Sequence, residues 1–77
     1  LNIMTKRIDT IYKEIGKRIS SARAKRGWTQ EKLAAESEVA SAHIGFIEQG
    51  RRRPTVTTLH KLATALNTTL EELFKGL

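Results

Sequence analysis

The chain has 77 residues, of which 14 are Lys or Arg and eight are Asp or Glu, so its formal charge at pH 7 is +6. It contains no cysteine, which excludes disulfides and thiolate metal sites, and it has neither a secretory signal nor an apolar run near the roughly 20 residues of a membrane span. We therefore expect one soluble, cytoplasmic domain whose positive charge suits a polyanion.

The first predicted helix runs from about Asp9 to Arg26, and residues 1–8 are predicted to form an N-terminal extension. Leucine is an unusual first residue, and we expect that Met4 is the natural start or that Leu1 to Ile3 are left over from cloning. Apolar residues recur along the helix at three- and four-residue spacing, which is typical of a helix with one face on a core. They are Ile8, Ile11, Tyr12, Ile15, Ile19 and Ala22.

Two short helices joined by a tight turn are predicted next. Thr29 is expected to cap a second helix of about Gln30 to Ser37. Residues 38–40 form the turn, and Ser41 caps or opens a third helix that stops at Gly50. The residues expected to face the core are Leu33, Ala34, Val39, Ile44 and Ile47.

A basic loop and two further helices complete the predicted fold. Residues 51–54 are expected to be exposed, because three adjacent arginines need solvent or an anion and the proline disfavours helix before it. A threonine caps each helix: Thr55 or Thr57 for the fourth, and Thr68 or Thr69 for the fifth. The fourth carries the apolar stripe Leu59, Leu62, Ala63 and Leu66, and the fifth spans Leu70 to about Lys75. Five helices without a strand pattern predict one all-α domain over residues 9–77.

The charge is unevenly distributed along the chain. Residues 1–28 carry a net charge of +6, residues 29–50 carry −3, and residues 51–77 carry +3. This pattern is typical of a folded DNA-binding domain whose basic flanks contact phosphate while its centre carries recognition.

The centre of the chain has the spacing of a helix-turn-helix, since a capped helix, a short turn and a second helix fall within residues 29–48. From Ile15 to Phe74 the sequence resembles the phage repressor and Cro-like (XRE-type) family. The matching segments are Thr29-Gln30, Leu33-Ala34, Ile44, Glu48-Gln49-Gly50 and Arg51-Arg52-Arg53-Pro54.

The resemblance implies a five-helix, lambda-repressor-like domain that binds double-stranded DNA sequence-specifically and regulates transcription. It also implies a homodimer on a near-palindromic operator, which blocks or recruits RNA polymerase. Restriction–modification controller proteins, antitoxins and phage Cro-like switches are small members of this family, and the length fits all three.

The third helix is expected to enter the major groove as the recognition helix. By resemblance its base-reading residues are Ser41, Ala42, His43 and Phe46. Relatives usually place Arg, Gln, Lys or Asn at several of these sites, so this chain departs from the common composition. Ser41 and His43 suit a base edge or phosphate, and Ala42 and Phe46 suit thymine methyls. For Phe46, packing on the domain's own surface or on a protein partner stays open.

Phosphate contacts are expected on both sides of the recognition helix. Gln30 lies at a helix N-terminus, which favours an anion, although a solvated capping residue is the alternative. The other predicted phosphate-binding residues are Gln49, Arg51, Arg52 and Arg53, and Arg53 is equally well read as a solvated loop charge. Trp28 is expected to be partly buried rather than stacked on a base or ligand. The resemblance also implies a partly buried ion pair between Arg23 and Glu48.

A dimer interface is expected at the C-terminal helices, because a chain this short builds only a marginal core alone and its last helix is unusually apolar. The candidate residues are Leu70, Leu73, Phe74 and Leu77. The rival element is the N-terminal extension, which carries Ile3 and Met4.

No other class of function has a motif in the sequence. His43 and His60 lack companions at metal-ligand spacing, so no metal and no cofactor are expected. No catalytic arrangement is recognisable either, and we expect no enzyme activity. The runner-up function is a protein-interaction module on the same fold, with incidental basic charge.

Overall fold

The structure, a computed structural model, describes residues 2–77 and contains five α-helices over that range. They are α1 (Ile3–Lys25), α2 (Gln30–Ser37), α3 (Ser41–Glu48), α4 (Val56–Ala65) and α5 (Leu70–Phe74). The predicted five-helix, all-α fold is confirmed. Leu1, the first of the three residues whose origin the sequence leaves open, lies outside the described residues. None of the five helices is long and apolar enough to cross a membrane.

Helix α1 begins at Ile3 and not near Asp9, so the predicted start is wrong. The Asn2 side chain provides the N-terminal cap, because its Oδ1 accepts a hydrogen bond from the backbone N–H of Thr5 at 2.9 Å. The apolar face that starts at Ile8 therefore belongs to an uninterrupted helix of 23 residues. Residues 3–8 are its first turns.

Threonine caps begin three of the other helices. The hydroxyl oxygens of Thr29, Thr55 and Thr69 accept hydrogen bonds from the N–H three residues further on, at 3.0, 3.1 and 3.1 Å. The structure thus chooses Thr55 over Thr57 and Thr69 over Thr68. Ser41 opens α3 as its first residue and does not cap it, since the preceding Ala40 is the N-cap.

The turn between α2 and α3 is held by one buried hydroxyl. Ser37 donates to the carbonyl of Leu33 at 2.6 Å and accepts from the backbone N–H of Val39 at 3.3 Å. Glu38 adopts a left-handed conformation with φ 60°, and Val39 is buried as predicted. These contacts set the angle at which α3 leaves α2.

All five helices contribute to one apolar core. Its buried residues are Ile15, Ile19, Leu33, Val39, Ile44, Ile47, Leu59, Leu62, Ala63, Leu66 and Leu73. Leu73 was predicted to face a second subunit, but its exposed fraction is 3% because α5 packs onto α1 and α4. The prediction for this residue is wrong, since Leu73 has almost no surface left for a partner.

Helices α1 and α3 are in backbone contact at Gly16. A Cβ atom at this position would lie 2.3 Å from the carbonyl oxygen of Ile47 and 2.9 Å from that of Glu48. Both atoms belong to the last turn of α3, which cannot move aside as a flexible side chain can. Only glycine therefore allows α3 to lie this close to α1.

We predict that Gly16→Ala lowers the free energy of unfolding by about 1–3 kcal/mol, the usual cost of overpacking. At an unconstrained helix position the same change would raise stability by about 0.5–1 kcal/mol. Urea denaturation measures the difference, with Ser21→Ala at an exposed position of α1 as the control that should not lose stability. A gain in stability from Gly16→Ala would show that the two helices are not in backbone contact.

Candidate nucleic-acid interface

Helix α3 divides into a buried side and an accessible side. Ile44 and Ile47 are fully buried in the core, as predicted. The four predicted base-reading residues lie outside the core: Ala42 is exposed, and Ser41, His43 and Phe46 are partly exposed. The structure therefore leaves this side of α3 outside the core and accessible.

A network centred on the Glu48 carboxylate holds α3 to the two helices before it. Arg23 of α1 binds Glu48 through two hydrogen bonds, from Nε to Oε2 at 2.7 Å and from Nη2 to Oε1 at 3.0 Å. Gln30 of α2 donates from Nε2 to the same Oε1 at 3.0 Å. The structure thus brings the predicted pair of Arg23 and Glu48 together, and adds Gln30 to it.

The environment of this network is largely dry. The exposed fractions of the side chains are 18% for Arg23 and 7% for Glu48. The hydrogen bond and charge of Glu48 raise the pKa of Arg23 above its ordinary value, so the guanidinium stays charged. Arg23 also donates from Nη1 to the carbonyl of Trp28 at 2.7 Å, which ties down the loop before α2.

Gln30 occupies the N-terminus of α2 as expected, but its amide is directed at Glu48. Its side chain also lies against Gly45, where a Cβ atom would be 3.5 Å from Oε1 of Gln30. Gln30 is therefore a packing contact between α2 and α3. Its predicted contact with phosphate stays a prediction.

Arg51 and Arg52 lie against the ring of Phe46. Their guanidinium carbons are 5.3 and 4.8 Å from the ring centroid, which is the range of cation–π attraction. The backbone N–H of Arg51 also donates to the carbonyl of Phe46 at 2.9 Å. The structure therefore favours the alternative in which Phe46 packs on the domain's own surface, where it supports the basic loop.

Arg53 faces α1, apart from the other two arginines. Its Nη2 donates to Oδ1 of Asp9, and its guanidinium lies 6.0 Å from the ring centroid of Tyr12. Both members of the ion pair are about half exposed, so solvent weakens it. Arg53 can therefore exchange Asp9 for a phosphate at small cost.

Sequence reasoning missed the part of α1 that borders this surface. A Cβ atom at Gly50 would lie 2.6 Å from Cγ of Lys13, so the turn that follows α3 sits directly on Lys13. Lys13 and Asp9 thus belong to the same surface as residues 51–53. The only sequence pattern at this place is Gly50 followed by three arginines, and this pattern does not predict which helix lies beneath the loop.

Trp28 is partly buried against the core, as predicted. Its outer face carries Arg26, 4.5 Å from the ring centroid, and Lys32, 5.8 Å away. The indole therefore packs within the domain and supports two basic residues.

A family model for the helix-turn-helix matches residues 19–73, which include the whole α2–α3 unit and the basic loop. The chain belongs to the helix-turn-helix family. The match confirms the resemblance drawn from residues 29–54.

Curated relatives and solved structures place this helix-turn-helix protein among transcriptional regulators. The uncharacterized HTH-type transcriptional regulator y4dJ of Sinorhizobium fredii is 39% identical over 61 residues, which make up 79% of each chain. The restriction-modification controller protein C.AhdI of Aeromonas hydrophila has a similar structure, with a TM-score of 0.79 and 35% identity over 82% of this chain and 96% of that one. The controller protein C.Esp1396I, solved as a tetramer with its natural 35 base-pair operator, has a TM-score of 0.77 and 26% identity over 84% of this chain and 86% of its own.

We predict that Glu48→Ala lowers the free energy of unfolding by about 3–5 kcal/mol, because it leaves Arg23 charged and unpaired in a largely buried site. Thermal and urea denaturation test this directly. The matched control is Glu36→Ala, which breaks the exposed pair with Lys32 on α2 and should change stability little. Equal, small effects of the two substitutions would show that the buried network does not hold the domain together.

Proposed function

We propose that this helix-turn-helix protein binds double-stranded DNA sequence-specifically, as a homodimer on a near-palindromic operator, and thereby controls transcription. The observation that carries the proposal is the accessible side of α3, held by the Glu48 network and continued by Arg51 and Arg52. A bound dimer would block or recruit RNA polymerase in the cytoplasm. The proposal assigns the chain binding and not catalysis.

In this proposal α3 enters the major groove, which is about 12 Å wide and admits a helix. Ser41 and His43 bond base edges, and Ala42 contacts a thymine methyl. None of these side chains has the forked donors of Arg or the paired donor and acceptor of Asn and Gln. We therefore expect modest discrimination from direct contacts, with the remainder coming from DNA shape and from the spacing of two half-sites.

Phosphate contacts flank α3 on both sides in the proposed complex. Arg51 and Arg52 bind the backbone on one side, with Gln49 beside them at the end of α3. On the other side the free N–H groups at the start of α2 face phosphate, and Gln30 lies at that start. Phe46 acts by supporting Arg51 and Arg52, so its removal should weaken binding to every sequence.

The homodimer is supported by two observations. The operator complex of C.Esp1396I contains several copies of a similar chain. In this chain Phe74 and Leu77 are exposed and Leu70 is partly exposed, so part of the predicted C-terminal interface remains open. A two-fold dimer would place two recognition helices about 34 Å apart, one turn of DNA.

The experiment that tests the function is selection of bound duplexes from a random DNA pool, followed by titration at several salt concentrations. We predict one enriched, near-palindromic sequence. A dimer with roughly 6–10 phosphate contacts should give a log–log salt slope of roughly −5 to −9. No enrichment together with a flat salt response would leave the protein-interaction module as the better account.

We further predict that Arg51→Ala with Arg52→Ala weakens binding to selected and random DNA alike and makes the salt slope shallower, because phosphate contacts carry no sequence information. The matched control is Lys61→Ala with Lys75→Ala, which removes the same amount of charge. Lys61 is exposed on α4 and Lys75 is exposed directly after α5, so this pair should change the salt slope less. An equal effect of both pairs would mean that net charge, and not the basic loop, holds the DNA.

Ser41→Ala should act differently from the loop variants. We predict that it changes the preferred base at one position of each half-site, at about 1–3 kcal/mol, without lowering the melting temperature. Repeating the selection with the variant measures this shift. Unchanged preference with uniformly weaker binding would move Ser41 from the base-reading to the phosphate-binding residues.

A further inference from the structure

Four of the five large apolar side chains that are exposed within residues 2–77 lie near the two ends of the chain. Ile3 and Met4 are 68% and 60% exposed at the start of α1, and Phe74 and Leu77 are 38% and 45% exposed at and after α5. Val56, on α4, is the fifth. These side chains leave apolar surface at both ends of the chain that is available to another molecule.

An open groove of about 470 Å³ lies on α1 between these ends. Its lining residues are Arg7, Thr10, Ile11, Glu14, Arg18 and Leu77. Five of the six belong to the N-terminal two thirds of α1, and Leu77 closes the groove from the C-terminal side. The groove is therefore a helix face that no other element of the domain covers fully.

The charges beside Ile11 complement themselves under a two-fold rotation. Arg7 and Glu14 are seven residues apart, so they lie on the same side of α1, two turns from each other and on either side of Ile11. If two copies of α1 run antiparallel about an axis near Ile11, each Arg7 faces the other copy's Glu14 and the two Ile11 side chains meet. Glu14 also pairs with Arg18 of its own helix at 3.6 Å, so in the dimer its carboxylate would lie between two guanidinium groups. A two-fold dimer needs this kind of self-complementary surface.

The same rotation brings the apolar ends together. Arg18 donates to the carbonyls of Glu72 and Leu73 at 3.2 and 3.1 Å, so it marks the place where α5 joins α1. In the antiparallel pair Met4 lies opposite Arg18 of the other copy, beside that copy's C-terminal residues. Ile3 and Met4 of one copy thus cover the region of Leu77 of the other.

We propose that a second copy of this chain docks in the groove, with the N-terminal halves of the two α1 helices antiparallel and crossing at Ile11. The proposal rests on the proposed homodimer and names its interface. Leu73 is buried in the core, so α5 alone offers a partner less apolar surface than the sequence suggested. Residues 3–8, which belong to the predicted N-terminal extension of residues 1–8, become part of the subunit contact.

Charge reversal tests the interface without DNA. Sedimentation equilibrium should show that Arg7→Glu and Glu14→Arg, each alone, weaken dimerisation at least roughly tenfold, because each places like charges opposite each other at two symmetric positions. The variant with both substitutions restores opposite charges and should dimerise within a few-fold of the natural sequence. Lys61→Glu on α4 makes the same change of charge as Arg7→Glu away from the groove, and should leave the dimer intact.

Circular dichroism melting establishes that each variant is folded before its mass is interpreted. A folded double variant as monomeric as the single ones, or single variants that dimerise normally, would overturn the proposed interface. A natural sequence that is monomeric at all concentrations would instead remove the homodimer itself from the proposed function. Sedimentation is measured without DNA, so a failure of the protein to bind DNA would not change the result of this dimerisation experiment.

Discussion

The position of α3 depends on one carboxylate. Glu48 is the last residue of α3, and its two oxygens bind Arg23 from α1 and Gln30 from α2 at 2.7–3.0 Å. A buried carboxylate without these partners would be costly, so the three helices are stable only when they meet at this point. The main chain is constrained at the same place, because Gly16 allows α1 to touch the carbonyl of Glu48.

In the proposed complex, this constraint explains how a recognition surface can be built from few specific side chains. The side chains proposed to read bases offer a hydroxyl, an imidazole and a methyl group, which are weak base-reading groups compared with Arg or Asn. A rigidly held α3 would lose less entropy on binding DNA, so weak contacts of this kind would contribute more to the net affinity. Arg23 pairs with Glu48, and Lys32 pairs with Glu36. Two of the four acidic residues within residues 29–50 are therefore paired with a basic side chain.

Local patterns predicted most of the fold, because helix periodicity and threonine caps act within three or four residues. The core faces of α3 and α4 and the bounds of α2 follow from them, and the family resemblance supplied the pairing of Arg23 with Glu48. Local patterns could not predict contacts between segments that are distant in the sequence. Arg53 pairs with Asp9 across 44 residues, and no local rule joins the two.

The wrong expectations have the same origin. Leu73 looked available because α5 is short and apolar, but the packing of α5 on α1 and α4 decides which of its side chains is buried. The start of α1 was placed too late because the apolar periodicity begins only at Ile8, whereas the Asn2 cap begins the helix earlier. For Phe46 the sequence left base reading and packing on the domain's own surface open, and only the folded loop shows Arg51 and Arg52 on its ring.

In the proposed complex the accessible side of α3, with its flanking N–H groups and arginines, is the surface that meets DNA. The most direct measurement is a nitrogen–proton correlation spectrum of the protein titrated with a selected duplex. The largest changes should fall on the amides of residues 29–32, 40–46 and 51–53, while those around His60 on α4 should stay nearly constant. Changes concentrated on α4 and absent from α3 would contradict the account.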